Sequence, residues 1–200
     1  MVGKLRMLAT QAFVIILVLI LSFSESAWEG SAMPFVSSIL FLMGAVLVGV
    51  ASMGRLWCSL YIAGYKTEIL VTEGPYSITR NPLYFFSLLG AIGVGLASET
   101  ILIPIIIFIA FTIYYPFVIK SEEVELRNLF GEKHYAYCKN VPLFFPNISK
   151  LKEPEKYVVK PKIFRRHVFD ALWFVWLIGI MEIIESLHEL DIIPVLFKIY

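Results

Sequence analysis

Residues 34–54, PFVSSILFLMGAVLVGVASMG, carry no charged side chain. A helix of that length, rising about 1.5 Å per residue, crosses the roughly 30 Å hydrocarbon core of a bilayer. In lipid only a helix or a closed barrel satisfies its own backbone, so this stretch commits the chain to a membrane. Residues 82–98 (PLYFFSLLGAIGVGLAS) and 100–119 (TILIPIIIFIAFTIYYPFVI) repeat the pattern. With no more than Ser98 and Glu99 between them, these two must form an antiparallel hairpin. Pro104 falls in the first turns of the second span; Pro116, near its end, should bend it or loosen a backbone bond. Residues 169–187 read as a last, shorter span. Residues 8–24 come after Lys4 and Arg6 and admit two readings. One is a first transmembrane helix, preferred because the remainder of the chain is itself a membrane protein; the other is a signal peptide cleaved near Ser26 and Ala27. Ser37, Gly44, Ala45, Gly49 and Ser52 are small enough to let a neighbouring helix approach α-carbon to α-carbon.

The expected fold is an all-α integral membrane protein of about five transmembrane helices, with residues 1–200 forming one membrane domain. Its core is expected at 55–148, followed by the helix at 169–187 and an interfacial tail at 188–200. The composition agrees: 58% of residues are hydrophobic and 16% charged, against about 25% charged in soluble domains. A net charge of +1 supplies no basic field for nucleic acid, which is excluded as a partner.

Loop charges set the orientation. Segment 25–33 has Glu25 and Glu29 but no Lys or Arg, and the 98–99 turn has only Glu99. Arg55, Lys66 and Arg80 mark the next segment, and residues 120–168 are studded with basic residues from Lys120 to Arg166. The positive-inside rule places the N-terminus, 55–81 and 120–168 in the cytoplasm. The protein is thus expected in an inner or cytoplasmic membrane, with its C-terminus outside. Cys58 and Cys138 fall on the cytoplasmic side, in no ligand-spaced motif, and read as reduced buried or interfacial thiols.

Chemistry belongs to the cytoplasmic segments. In 70–84, LVTEGPYSITRNPLY, a β-branched run breaks at Glu73-Gly74-Pro75. Asn81-Pro82 then opens a span with Asn as cap and Pro in the first turn. That helix end faces the cytoplasm with free N–H groups beside Arg80 and can receive a carboxylate. In 120–146, the preceding span runs on past Glu122, Glu123 and Glu125 to Gly131, a fitting helix stop. Glu122 and Glu125 share a face. Glu123 precedes Arg127 by four residues, the spacing of a surface ion pair. Val141-Pro142-Leu143-Phe144-Phe145-Pro146 cannot be helical and reads as a loop laying Phe144 and Phe145 into the interface.

In order, Leu70-Val71-Thr72-Glu73-Gly74-Pro75-Tyr76, Arg80-Asn81-Pro82-Leu83-Tyr84, a membrane hairpin, Glu122-Glu123, Phe130-Gly131, Tyr137 and Val141-Pro142 resemble the isoprenylcysteine carboxyl methyltransferases. The prokaryotic relatives of that family are similar in turn to the phospholipid N-methyltransferases. The resemblance spans residues 62–146 and includes Ala63-Gly64. It implies S-adenosylmethionine as cofactor, in a cytoplasmic pocket formed by the 70–82 loop and the 120–146 segment. Tyr76, Asn81, Pro82, Tyr84, Glu122, Glu123 and Tyr137 would bind the cofactor, and Arg80 and Glu123 would act in catalysis. A lipophilic isoprenoid or lipid acceptor would enter from the bilayer. Two departures stand out: Asn81 replaces the usual His, and His134 stands where Tyr is common.

Methyl transfer from a sulfonium is an in-line displacement needing no metal; the protein aligns donor and acceptor and excludes water. Carboxylates such as Glu122 or Glu123 suit the cofactor's hydroxyls or amine, and Arg80 suits an anion. No metal site is expected. Glu185-x-x-His188 is a metal-binding pair only when a second helix supplies its match, and none does. Two other functions remain open: a membrane reductase with a nicotinamide cofactor, and a non-catalytic membrane assembly or sensory protein.

The orientation is checked by single-cysteine labelling. A cysteine placed at Lys156 should resist a membrane-impermeant thiol reagent in intact cells, and one at Glu29 should react. The opposite pattern would remove the cofactor argument along with the topology.

Overall fold

The computed structural model describes residues 2–28, 35–65 and 68–200, and for residues 2–10 and 13 it describes the backbone alone. Glu29, Pro34 and Lys66, which bear on the expected orientation and spans, lie outside the described residues. The apolar stretches form helices: α1 (Val2–Leu21), α2 (Phe35–Ile62), the single turn α3 (Pro75–Ile78), α4 (Pro82–Ala97), α5 (Leu102–Asn140), α6 (Pro161–Ala171) and α7 (Trp173–Glu189). Among the described residues, three stretches are long and apolar enough to cross a membrane: Phe35–Ile62, Leu102–Asn140, and Pro161–Glu189, in which α6 and α7 run almost end to end. Large apolar side chains such as Met53, Ile113, Phe117 and Trp176 point outward, the arrangement of a protein whose surroundings are hydrocarbon. The chain is a helical membrane protein.

α2 packs most extensively against α4, and the contact is backbone to backbone. A Cβ on Gly44 would lie 2.5 Å from both Ala97 N and Gly93 O, and one on Gly93 would lie 2.8 Å from Gly44 O. Ser37 and Ser52 are buried on the same helix. Gly49 is not part of the seam, since a Cβ there would meet nothing within 4 Å. The close approach of small residues is thus realised at Gly44.

α5 passes through Pro116 with helical backbone and breaks at Gly131 (φ 50°, ψ −122°). The expected stop at Gly131 is therefore a bend, after which the helix resumes to Asn140. The sequence beyond it has helical period: His134, Tyr137 and Cys138 stand at i, i+3 and i+4, on one face, and His134 and Tyr137 are buried.

At the other end of the bundle the all-α expectation has one exception. β1 (Ser24–Ser26) pairs in parallel with β2 (Phe197–Ile199), Ser24 opposite Phe197. Ser26 Oγ donates to Glu99 O at 2.8 Å, Leu102 N donates to Tyr200 O at 2.8 Å, and His188 Nε2 lies 3.0 Å from Ser22 O. The exit of α1, the α4–α5 turn and the C-terminal tail therefore meet at one end, where Phe197–Ile199 of the tail is a paired strand.

The α2–α4 seam is tested by a matched pair. Gly44→Ala should force two backbones apart and cost about 1–3 kcal/mol, the scale of overpacking. Gly49→Ala should stay within about 0.5 kcal/mol. Thermal unfolding of the detergent-solubilised protein distinguishes them, and equal losses would contradict this packing.

Candidate active site

The residue before a proline is kept out of the helical region, so Asn81, ahead of Pro82, cannot join α4, and Thr79 closes α3 in an extended conformation. Thr79 is extended (φ −153°, ψ 149°) and Asn81 lies at φ −126°, ψ 53°. Their polar groups need partners elsewhere, as do those of the equally non-helical segment 141–147. The two satisfy each other. Arg80 N donates to Pro142 O (2.9 Å) and Asn147 N to Ile78 O (2.9 Å). Thr79 Oγ1 donates to Phe144 O (2.9 Å), and Asn81 Nδ2 to Leu143 O (3.0 Å). Asn81 occupies the cap position of α4, but its side chain does not cap the helix; it fastens the opposite loop.

This lacing fixes Arg80 against the far end of α5. Arg80 Nη1 lies 2.5 Å from Glu123 Oε2 and 2.7 Å from Cys138 Sγ. Cys138 Sγ in turn lies 3.6 Å from Glu123 Oε2 and 3.6 Å from His134 Nε2. The charged groups are well covered, with side-chain exposures of 14% and 18% for Arg80 and Glu123. Glu123 thus pairs with Arg80 rather than with Arg127 on its own helix. Beside them, Tyr137 Oη donates to Tyr76 O at 2.7 Å. The buried Tyr76 hydroxyl has no hydrogen-bond partner among the described residues, and the charge of Glu122 reaches it. Pro82 is fully buried. Glu122 is half-buried and Glu125 exposed.

The structure brings together Tyr76, Arg80, Asn81, Pro82, Glu123 and Tyr137, with Glu122 alongside. Tyr84 is turned elsewhere: its ring meets Tyr115 edge-on at 5.1 Å. His134 and Cys138 join the cluster although the sequence pattern assigned them no role there. The one available signal was their i, i+4 spacing on a helix expected to have ended. Burial lowers the pKa of His134 below its ordinary value and Glu123 opposes this, while Arg80 and Arg127 reinforce it. Burial, then the carboxylate of Glu123, raises the thiol of Cys138.

A second space opens among the helices. A cavity of about 960 Å³ is walled by apolar side chains of α1, α4, α5 and α7, among them Leu17, Ala91, Ile107, Phe111 and Leu177. Its polar features include Arg55, Ser87, Tyr114 and Tyr115. Arg55 donates to Ser87 Oγ and to Asp170 O at 3.3 Å, and stacks over Phe174, 5.6 Å from its centroid. Its hydrogen bonds thus go to neutral atoms. Sequence reasoning used Arg55 only as an orientation marker. Phe144 packs against Phe111 and Phe85, with centroids 5.9 and 6.0 Å apart. Phe144, whose carbonyl accepts from Thr79, thus joins the loop beside the polar cluster to Phe111 of the cavity lining, whereas Phe145 is exposed.

The profile of the phospholipid methyltransferase family matches residues 33–133. The chain belongs to that family. It is 36% identical over 173 residues to the cobalt-zinc-cadmium resistance protein CzcN of Cupriavidus metallidurans, covering 86% of this chain and 78% of that protein. It is 35% identical over 170 residues to the nickel-cobalt-cadmium resistance protein NccN of Alcaligenes xylosoxydans xylosoxydans, covering 85% and 78%. No solved structure matches it.

The buried imidazole makes stability depend on pH. His134 binds its proton less tightly folded than unfolded, so its contribution is complete above the unfolded value of 6.5 and is lost as pH falls toward the lowered folded value. Arg80, Arg127, Glu123 and Cys138 all face it, and none reverses the sign. The thermal midpoint should therefore drop between about pH 7.5 and about pH 5.5, and His134→Gln should flatten that part of the profile. An unchanged slope in the variant would assign the acid sensitivity to other groups.

Proposed function

We propose that this protein transfers a methyl group from S-adenosylmethionine to the acidic head of a lipophilic acceptor at the cytoplasmic membrane face. In this reading α1, α2, α4, α5 and α7 are five spans of an inner or cytoplasmic membrane, and the isoprenylcysteine-type motif marks the cofactor side. The observation that carries it is the large apolar cavity with a cation, Arg55, at its polar side. A fatty or isoprenoid chain would lie along Leu17, Ile107 and Leu177, with its carboxylate on Arg55 and Ser87. This moves the head-group role, expected for Arg80, to Arg55, whose hydrogen bonds go to neutral atoms and whose charge the nearby Asp170 carboxylate offsets in part.

The polar cluster fits the cofactor by its donor set. Glu122 and Glu123 suit hydroxyls and an amine, Arg80 suits a carboxylate, and the unpartnered Tyr76 hydroxyl offers a buried donor. When bound, S-adenosylmethionine supplies an electrophilic methyl on sulfur. The chain's own part is to hold the acceptor carboxylate in line with the methyl group where cavity and cluster adjoin, with the rings of Phe111 and Phe144 excluding water around it. The carboxylate oxygen forms the new bond to carbon, the sulfur keeps the electron pair, and no proton moves. Asn81 acts here as a positioning residue through Leu143. The relatives' names attach them to resistance against divalent transition metals, and we place this methyl transfer in the same setting.

The test is methyl transfer by the purified full chain to carboxylic acids of increasing length. kcat/KM should rise with each methylene, by up to about 0.8 kcal/mol of transfer energy apiece. Arg55→Gln should cut turnover at least tenfold, about 1.4 kcal/mol, with cofactor affinity retained. Glu123→Gln should weaken cofactor binding by roughly 1–3 kcal/mol. Equal activity on short, water-soluble acids would refute entry from the bilayer, and binding of NADPH in place of S-adenosylmethionine would favour the reductase.

A further inference from the structure

Glu123, His134 and Cys138 each present a ligand atom, and these atoms all lie within 4.8 Å of one another. Their separations are those of a coordination shell. A tetrahedral ion with bonds of about 2.0–2.1 Å to N and O and about 2.3 Å to S sets its ligands roughly 3.5 Å apart. Cys138 Sγ lies 3.6 Å from Glu123 Oε2 and 3.6 Å from His134 Nε2. The three come from both sides of the Gly131 bend, His134 is fully buried, and Glu123 and Cys138 are half-buried. The place of a cation is taken by Arg80, whose Nη1 is 2.5 Å from Glu123 Oε2 and 2.7 Å from Cys138 Sγ. The cluster is thus built around a positive charge that the chain itself supplies.

We propose that Glu123, His134 and Cys138 form a site for one thiophilic divalent transition-metal ion, which enters by displacing the guanidinium of Arg80. A thiolate, an imidazole and a carboxylate together select ions of the zinc class over magnesium or calcium, which prefer oxygen ligands alone. As the metal–sulfur bond forms, the Cys138 thiol proton leaves to solvent. Two of the three ligands, His134 and Cys138, lie beyond residues 33–133, the part matched by the family profile. The proposal stands on this geometry and does not depend on the methyl-transfer reading.

The experiment is titration of the metal-free, detergent-purified full chain with Co²⁺, followed by absorption. One ion per chain should bind, with a thiolate-to-cobalt charge-transfer band and tetrahedral ligand-field bands, and Zn²⁺ should displace it. Cys138→Ser should abolish the charge-transfer band and Cys58→Ser should keep it. Arg80→Gln removes the competing cation and should tighten binding at least about tenfold. Glu123→Gln should weaken binding about tenfold, which provides a second measure should Cys138→Ser not purify as a monodisperse protein. Absence of the band from both the natural chain and Arg80→Gln, its survival in Cys138→Ser, or weaker binding by Arg80→Gln would overturn the site.

Discussion

The strip of hydrogen bonds between residues 78–81 and 142–147 is the constraint on which the polar end of the bundle depends. Both segments are barred from helix by proline, and both sit where a helical bundle leaves backbone groups unmet. Each buried orphan would cost about 1–3 kcal/mol. Pairing them removes that cost and fixes Arg80, which lies between Thr79 and Asn81 and points toward α5. It also accounts for Asn81 where histidine is usual in the family it resembles. The position's task is donation to the Leu143 carbonyl, and a primary amide does that as well as a ring N–H. Asn81 can therefore differ from the family without altering the polar cluster beside it.

Two arginines divide the work of the molecule by their surroundings. Arg80 is paired to a carboxylate among polar groups; Arg55 is bonded to a hydroxyl and a carbonyl at the edge of an apolar cavity. In a low-dielectric setting a cation hydrogen-bonded to neutral atoms attracts an anion far more strongly than it would in water, with the Asp170 carboxylate offsetting part of the charge of Arg55. Aromatic rings adjoin both settings: Phe111 and Tyr115, stacked at 3.7 Å, line the cavity, and Phe144 of the laced loop packs against Phe111.

How much of the fold was legible in the sequence depends on the range of each physical signal. Charge-free runs report membrane helices residue by residue, and α2, α4 and α5 stand where those runs lie. The proline-bracketed loop at 141–146 was likewise visible, because proline acts locally, whereas the local spacing offered Glu123 the partner Arg127 and the fold gives it Arg80, 43 residues away. The β1–β2 pair joins residues more than 170 apart through three-residue strands too short to show a period. Gly44 and Gly49 look alike in sequence, and only the helix's rotation separates the seam from lipid. The role of Arg55 depends on a cavity made by four other helices. His134 and Cys138 were hidden because Gly131 has the character of a helix end.

That glycine shows how one residue couples backbone to site. A Cβ on Gly131 would meet nothing within 4 Å, so space is not the reason for glycine there. The requirement is conformational: at φ 50° and ψ −122° any other residue is strained, at a cost of order 1–3 kcal/mol. A straight α5 would carry residues 132–140 onward along the axis, away from the membrane surface. The bend instead returns them, so that Tyr137 reaches the Tyr76 carbonyl, and His134 and Cys138 reach Glu123 and Arg80. Both ion pair and lacing then act back on the bend. Arg80 holds Glu123 ahead of it and Cys138 behind it, and the 142–147 strip anchors the chain beyond. The polar cluster is therefore closed by long-range contacts around a local hinge, and its geometry is set by the hinge and by the lacing together.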